Sequence, residues 1–237
     1  MQSFAVLRSA VAALALLQTP TWAADKPVVE GAPVPHVPDA QGWIRLFDGK
    51  TLSGWSTFDP GGWSIDAEGN LVGKGPRSHL FSPKTYRNLI FRAEAKLNKA
   101  GNSGMYFRAK LMGGWPDGYE AQVENTSSDP QRTGSLYNRA KMLEQLIPDD
   151  TWWTQTVVAV GNRILIQVND KLVVDFVDEK NSFTQGHLAL QQHDPGSVVH
   201  YRNVAVIPLP DDPAAALAIV AKHLPTLGSD PLVKTRR

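Results

Sequence analysis

The sequence predicts an all-β fold, a sandwich of two packed antiparallel sheets, and three observations carry that expectation. Roughly ten short runs of alternating apolar residues lie between residues 41 and 210, the pattern of half-buried strands. Gly, Asn, Asp and Pro separate them, the residues that tight turns demand. Helices do not intervene between successive runs, so the strands must bury their apolar faces against a second sheet.

In chain order, Trp43 to Phe47 precedes an Asp48-Gly49 turn. Trp63 to Ile65 and Asn70 to Val72 flank Asp66 to Gly69, and Asn88 to Leu97 is a long strand. Gly104 to Lys110 and Gly118 to Glu124 follow. Thr154 to Val160, Arg163 to Val168 and Leu172 to Phe176 form a meander whose turns, Gly161-Asn162 and Asn169-Asp170, suit tight hairpins. Gly186 to Gln191 and Val198 to Ile207 close the set. Residues 139 to 147 read as a helical turn in a long loop, and Asp212-Pro213 reads as the cap and first residue of a short helix over Ala214 to Leu224.

Composition narrows the function. The 237 residues carry 24 basic and 23 acidic side chains, a net charge of +1, which leaves no basic footprint for nucleic acid. There is no cysteine, which excludes disulfides, thiolate zinc sites, cysteine nucleophiles and an acylated lipoprotein anchor. Seven Trp supply large amphipathic faces of the kind that sugars stack on, and Trp115, Trp152 and Trp153 are candidate platforms. Residues 1–24 read as a signal peptide: Arg8, the apolar run Ala10 to Leu17, then the small residues Ala23 and Ala24. The run is too short to span a bilayer, so the expectation is an exported chain, periplasmic or secreted, with no membrane anchor. A Pro-rich linker over 25–40 leads to a domain over 41–210, and a short helix and tail occupy 211–237.

Strand parity then sorts the side chains, because alternate residues point to opposite faces. Tyr119, Ala121 and Val123 oppose Glu120, Gln122 and Glu124. Phe91, Ala93, Ala95 and Leu97 oppose Arg92, Glu94 and Lys96; Met105, Phe107 and Ala109 oppose Tyr106 and Arg108; Leu188 and Leu190 oppose Gln191 and His193. The polar sides gather Glu94, Tyr106, Arg108, Glu120, Gln122, Glu124, Gln191 and His193, a set able to hydrogen-bond hydroxyls and move protons. An ordinary solvated outer face is the competing reading. His193 is preferred among the histidines because Gln191 shares its face and Asp194 follows it; His36, His79, His187, His200 and His223 read as structural or surface residues.

Six stretches resemble one family. They are Leu46-Phe-Asp-Gly-Lys-Thr-Leu-Ser-Gly-Trp55, Asn102-Ser-Gly-Met-Tyr-Phe-Arg108, Gly118-Tyr-Glu-Ala-Gln-Val-Glu124, Thr133-Gly-Ser-Leu-Tyr137, Leu190-Gln-Gln-His193 and Tyr201-Arg-Asn-Val204. In this collinear order they resemble the 3-keto-disaccharide hydrolase family over about residues 43–209, which implies a concanavalin/laminin-G-like jelly-roll sandwich. Two positions depart from the family pattern: Glu124 stands where Asp is usual, and Asp150 to Thr154 replaces a Gly-Glu-Trp-Asn stretch.

The resemblance implies cleavage of glycosides already oxidised at C3. A C3 ketone acidifies the C2 proton; a base removes it, and the enolate expels the C1 substituent, after which water can add. Such chemistry needs a base, an enolate stabiliser and a proton donor. The implied roles are Glu120 or His193 as base and Arg108, with or without a divalent cation, at the enolate oxygen. Asn102, Gln122 and Tyr137 would orient hydroxyls, joined by Glu94, Tyr106, Gln191 and Trp115 as sugar contacts. Glu120, Glu124 and His193 form a candidate cation set, since carboxylate plus imidazole suits such ions. Two other functions compete. A retaining β-glucanase would want two carboxylates about 5–5.5 Å apart, whereas Glu120 and Glu124 in a regular strand lie about 13 Å apart at roughly 3.3 Å per residue. A non-catalytic carbohydrate-binding module would need only the aromatic platform.

Overall fold

Inward-facing apolar residues at every second position build the core between two sheets. In a computed structural model, residues 28–29, 31, 37–59, 62–224 and 233–234 are described. The strands, in chain order, are β1 Val28–Val29, β2 Ile44–Arg45, β3 Ser56–Thr57, β4 Trp63–Ile65, β5 Leu71–Lys74, β6 Ser78–Tyr86, β7 Asn88–Leu97 and β8 Asn102–Ala109. They continue as β9 Tyr119–Glu124, β10 Trp153–Val160, β11 Arg163–Val168, β12 Lys171–Val177, β13 Gly186–Gln192, β14 Val198–Leu209 and β15 Val233–Lys234, with helix α1 at Pro213–His223. One sheet runs β1-β3-β6-β13-β8-β9. The other runs β15-β12-β11-β10-β7-β14-β5-β4, with β2 also on β14. Pairing is antiparallel except between β12 and β15. The two-sheet sandwich is therefore the observed architecture. The signal segment expected over 1–24, His36 and most of the 25–40 linker lie outside the described residues.

Parity explains the layers. Phe91, Ala93, Ala95 and Leu97 of β7 meet Met105, Phe107, Tyr119, Ala121, Val123, Leu188 and Leu190 of the smaller sheet in one buried cluster. On the outer side of the larger sheet, α1 lays Ala216 and Val220 over Trp43, Ile90, Val158 and Ile207. Asp212 caps this helix by accepting the Ala215 N–H at 2.8 Å, with proline in the first turn. Asn169 and Asp170 both take positive φ, 48° and 62°, as a two-residue hairpin turn requires.

Three local features depart from the regular pattern. β6, nine residues long, is absent from the runs marked in the sequence and contains Pro83, where its register against β13 shifts. β8 carries one extra residue opposite β13, where His187 pairs with Ala109 but Ala189 with Tyr106. Arg108 sits in that bulge with φ 50°, so parity reverses and Ala109 joins Phe81, Tyr106 and Ala189 on the outer face. Residues 139–147 are not helical: Leu136 and Ala140 form a bridge, and the segment continues as irregular chain.

The strap of residues 131–142 positions the functional face. It runs along the outer edge of β9. Tyr137 N–H donates to Glu120 O at 2.9 Å, Gln122 N–H to Ser135 O at 2.9 Å, Gly134 N–H to Gln122 O at 3.1 Å and Thr133 N–H to Glu124 O at 2.6 Å. Gln131 then clamps Asn138, accepting its N–H at 2.8 Å and donating to its Oδ1 at 3.2 Å. That clamp holds Asn138 at φ 57°, a conformation Asn tolerates better than most residues.

Candidate active site

The outer faces of β8, β9 and β13 form the floor of a cleft of about 570 Å³, within the size range of small-ligand sites. Antiparallel register sets the floor: Tyr106 lies opposite Glu120, and Gly104 opposite Gln122. Tyr106 donates its hydroxyl to Glu120 Oε2 at 2.9 Å and accepts from Gln191 Nε2 at 3.1 Å. Gln122 Nε2 reaches Asn102 Oδ1 at 3.4 Å. His193, just past β13, and Tyr137, on the strap, complete the set, with Trp115 at the mouth.

Glu120 is the electrostatic centre. Burial pushes its carboxyl up to about 8; the Tyr106 hydrogen bond pulls the other way, and the nearby charge of Asp129 adds to the rise. Burial and the Glu120 charge hold the Tyr106 phenol well above its ordinary value, so it stays a hydrogen-bond donor. His193 Nδ1 faces Asp194 Oδ2 at 2.8 Å. Although burial opposes it, hydrogen bonds from His193, Gly196 N–H and Ser197 keep Asp194 below the ordinary carboxylate range. A carboxylate at Nδ1 fixes the ring so that Nε2 can give or take a proton. The buried Oε1 atoms of Gln122 and Gln191 have no hydrogen-bond partner among the described residues. Unpaired acceptors of this kind suit a ligand's hydroxyl groups.

Asn102, Tyr106, Trp115, Glu120, Gln122, Tyr137, Gln191 and His193 thus line one cleft. Three expected residues do not join them. Arg108 is turned away by its bulge and is 2% exposed. Its donors go to Arg87 O at 2.7 Å, Phe183 O at 3.1 Å and Asn88 Oδ1 at 3.4 Å. Glu94 belongs to the other sheet, where it accepts from Arg202 Nε at 2.7 Å and Asn203 Nδ2 at 2.6 Å beside a separate cleft. Glu124 is fully buried; both its oxygens bind Arg132 Nη1, at 2.6 and 2.8 Å, and the Ser127 N–H also donates to it.

Glu124 is therefore committed to Arg132, and the cation set drawn from the sequence does not assemble. Among the described residues no group of three or more His, Asp or Glu is placed to hold a metal. Removing Arg132 would leave the Glu124 carboxylate buried and unpaired. Arg132→Ala is expected to cost about 3 kcal/mol of stability, measured by chemical denaturation; a loss within experimental error would show the pair to be idle.

Three contributors escaped the sequence reading. Gly104 makes room for Glu120: a Cβ there would lie 2.9 Å from its Cδ and closer still to Oε1. His79 lies beneath the cleft between Tyr106 and Trp115, with ring centroids 5.3 and 5.8 Å away. Burial first, and then the Arg77 charge, push its imidazole down to about 3, so it remains neutral. Arg139, on the strap, is a cleft-lining guanidinium. The one available signal for Gly104 was a glycine inside a strand, which marks a close approach.

Comparison with known proteins bears on the family and the fold. Residues 42–207 match the 3-keto-alpha-glucoside-1,2-lyase-like domain family. A 3-keto-disaccharide hydrolase of Bacteroides thetaiotaomicron is 31% identical over 84 residues, which are 30% of this chain and 29% of that protein. The match thus spans less than a third of this relative's length. A crystal structure from Parabacteroides distasonis, described as a candidate glycosyl hydrolase, shares the fold with a TM-score of 0.62 at 22% identity, over 74% of this chain and 99% of that one. The exoplasmic/lumenal domain of VIP36, in a Ca2+/Man3GlcNAc-bound form, does so with a TM-score of 0.52 at 9% identity, over 73% and 90%. The architecture is a concanavalin/laminin-G-like jelly roll.

Proposed function

We propose that this chain, which belongs to the 3-keto-alpha-glucoside-1,2-lyase-like domain family, cleaves 3-keto-glycosides by removing the C2 proton and expelling the C1 substituent. The observation that carries the reading is Glu120, a carboxyl raised to about 8 at the floor of the cleft, hydrogen-bonded to a neighbouring phenol. A carboxylate with that affinity is far more basic than an ordinary glutamate, and a base is best matched when its pKa lies near the working pH.

The steps follow from the residues. Glu120 takes the C2 proton, and the C2–H electron pair becomes the enolate over C2, C3 and the C3 oxygen. Reforming the C3 carbonyl expels the electron pair of the C1–O bond, and His193 Nε2 protonates the departing oxygen. The product is a 1,2-unsaturated 3-keto sugar, and water adding at C1 turns elimination into net hydrolysis. Asn102, Gln122, Gln191 and Tyr137 supply the donors and acceptors that orient hydroxyls, while Trp115, 48% exposed at the mouth, offers a face for the leaving sugar. The ion pair of Glu124 with Arg132 argues against a retaining glucanase, which would need a second free carboxylate close by.

The pH profile tests the base. Only ionised Glu120 can accept the proton, so hydrogen exchange at C2 of a 3-keto-glucoside, a step that does not draw on the His193 proton, is expected to climb tenfold per pH unit below about 8 and to level above it. An ascending limb at pH 4 to 5 would remove Glu120 from the role. Sugar binding by the wild-type chain with no turnover of any 3-keto-glycoside would favour the binding-module reading, which Trp115 supports.

A further inference from the structure

A base at C2 generates negative charge on the C3 oxygen, and the family resemblance implies Arg108, with or without a divalent cation, as its partner. The geometry points instead to Arg139: we propose that its guanidinium receives the enolate oxygen, which makes it a further catalytic residue of the reaction proposed above and rests on that reading.

The contrast between the two arginines carries the argument. Arg108 has every donor nitrogen occupied by Arg87 O, Phe183 O or Asn88 Oδ1. Arg139 lines the cleft, and its guanidinium is ion-paired with Asp178 Oδ2 at 3.6 Å but makes no hydrogen bond to any described residue. Its donors are thus available to a ligand. The group is nevertheless held in place. It lies over the Tyr119 ring at 5.1 Å and the Phe183 ring at 5.9 Å, and stacking of this kind orients an arginine without spending its N–H groups. Asp178 is itself fixed by the Tyr119 hydroxyl at 2.5 Å and the Ser182 N–H at 2.9 Å. The Gln131 clamp on Asn138 fixes the backbone on either side, so Tyr137 and Arg139 both enter the cleft.

Position along the strands agrees with the chemistry. His193 follows the end of β13 toward Asn102, Glu120 lies opposite Tyr106, and Arg139 stacks on Tyr119 and Phe183 at the other end. In the substrate, C2 lies between C1 and C3. A ring with C2 over Glu120 and its C1 oxygen toward His193 directs its C3 oxygen toward Arg139. A preorganised cation at the site of developing charge stabilises the transition state more than the ground state.

The test reads enolate formation apart from bond cleavage. Wild type and Arg139→Gln, matched for melting temperature, are incubated in D2O with a 3-keto-glucoside, and deuterium entry at C2 and aglycone release are both followed. The expected result is a loss of about 100-fold in C2 exchange and in kcat with KM little changed, partly restored in Arg139→Lys, which keeps a charge. Exchange within threefold of wild type, or a loss confined to KM, would overturn the assignment while leaving the Glu120 reading intact. Absence of both exchange and cleavage in wild type would overturn both.

Discussion

Glu120→Gln is expected to abolish turnover of 3-keto-glycosides, by about 10³-fold or more given the usual worth of a positioned base, while leaving the fold in place. The amide keeps the volume of the side chain and can still accept the Tyr106 hydroxyl, but it cannot take a proton. The same substitution should stabilise the protein in a pH-dependent way. In the folded chain the carboxyl titrates near 8, whereas an unstrained Glu titrates near 4.5. Between those values the unfolded chain has released a proton that the folded chain retains, so wild-type stability falls as pH rises across that window. Glutamine has no proton to release. Its melting-temperature advantage should therefore be absent below about pH 4.5, widen up to about 8 and stay constant beyond. Equal cleavage rates for variant and wild type would end the assignment, and a pH-independent difference in melting temperature would show that the carboxyl is not raised.

Gly104→Ala is the second large effect, and it acts without replacing any group that moves a proton. Gly104 stands opposite Gln122 in the β8–β9 pair, and the Glu120 side chain leans over it. A methyl group would fall on the Glu120 carboxylate, 2.9 Å from both Cγ and Cδ. The backbone there is ordinary strand, so the side chain has to give: the carboxylate would swing away from Tyr106. Displacing a base by about 1 Å can cost on the order of 10² in rate, and overpacking costs about 1–3 kcal/mol. The expected signature is a kcat/KM loss of about 100-fold in a folded protein, with the ascending pH limb shifted down as the carboxyl meets water. Full activity would show that Glu120 does not depend on its seat over Gly104.

These effects mark what could be read from residues alone. The two layers were legible because period-2 alternation survives in β7 and β9, where Phe91 to Leu97 and Tyr119 to Val123 face the core as expected. Tyr106, Glu120, Gln122 and Gln191 followed from the same rule. It failed where its premise failed. The bulge at Arg108 reverses parity, and nothing in that stretch announces a positive φ at an arginine. Glu94 has the right parity on the wrong sheet, because alternation gives a face and not a neighbour. Glu124 points as its strand dictates, but its partner arrives from a loop eight residues later. Arg139 was hidden in a segment whose spacing resembles a helical turn and whose real conformation depends on tertiary contacts with β9.

The strap over β9 has one more consequence. A strand at the end of a sheet offers unpaired N–H and C=O groups to any passing chain, and residues 133–137 take up those groups on β9. The segment that carries Tyr137 and Arg139 therefore also guards against aggregation. The length of the strap is therefore constrained independently of the side chains it carries: a deletion that shortened it would bare an adhesive edge.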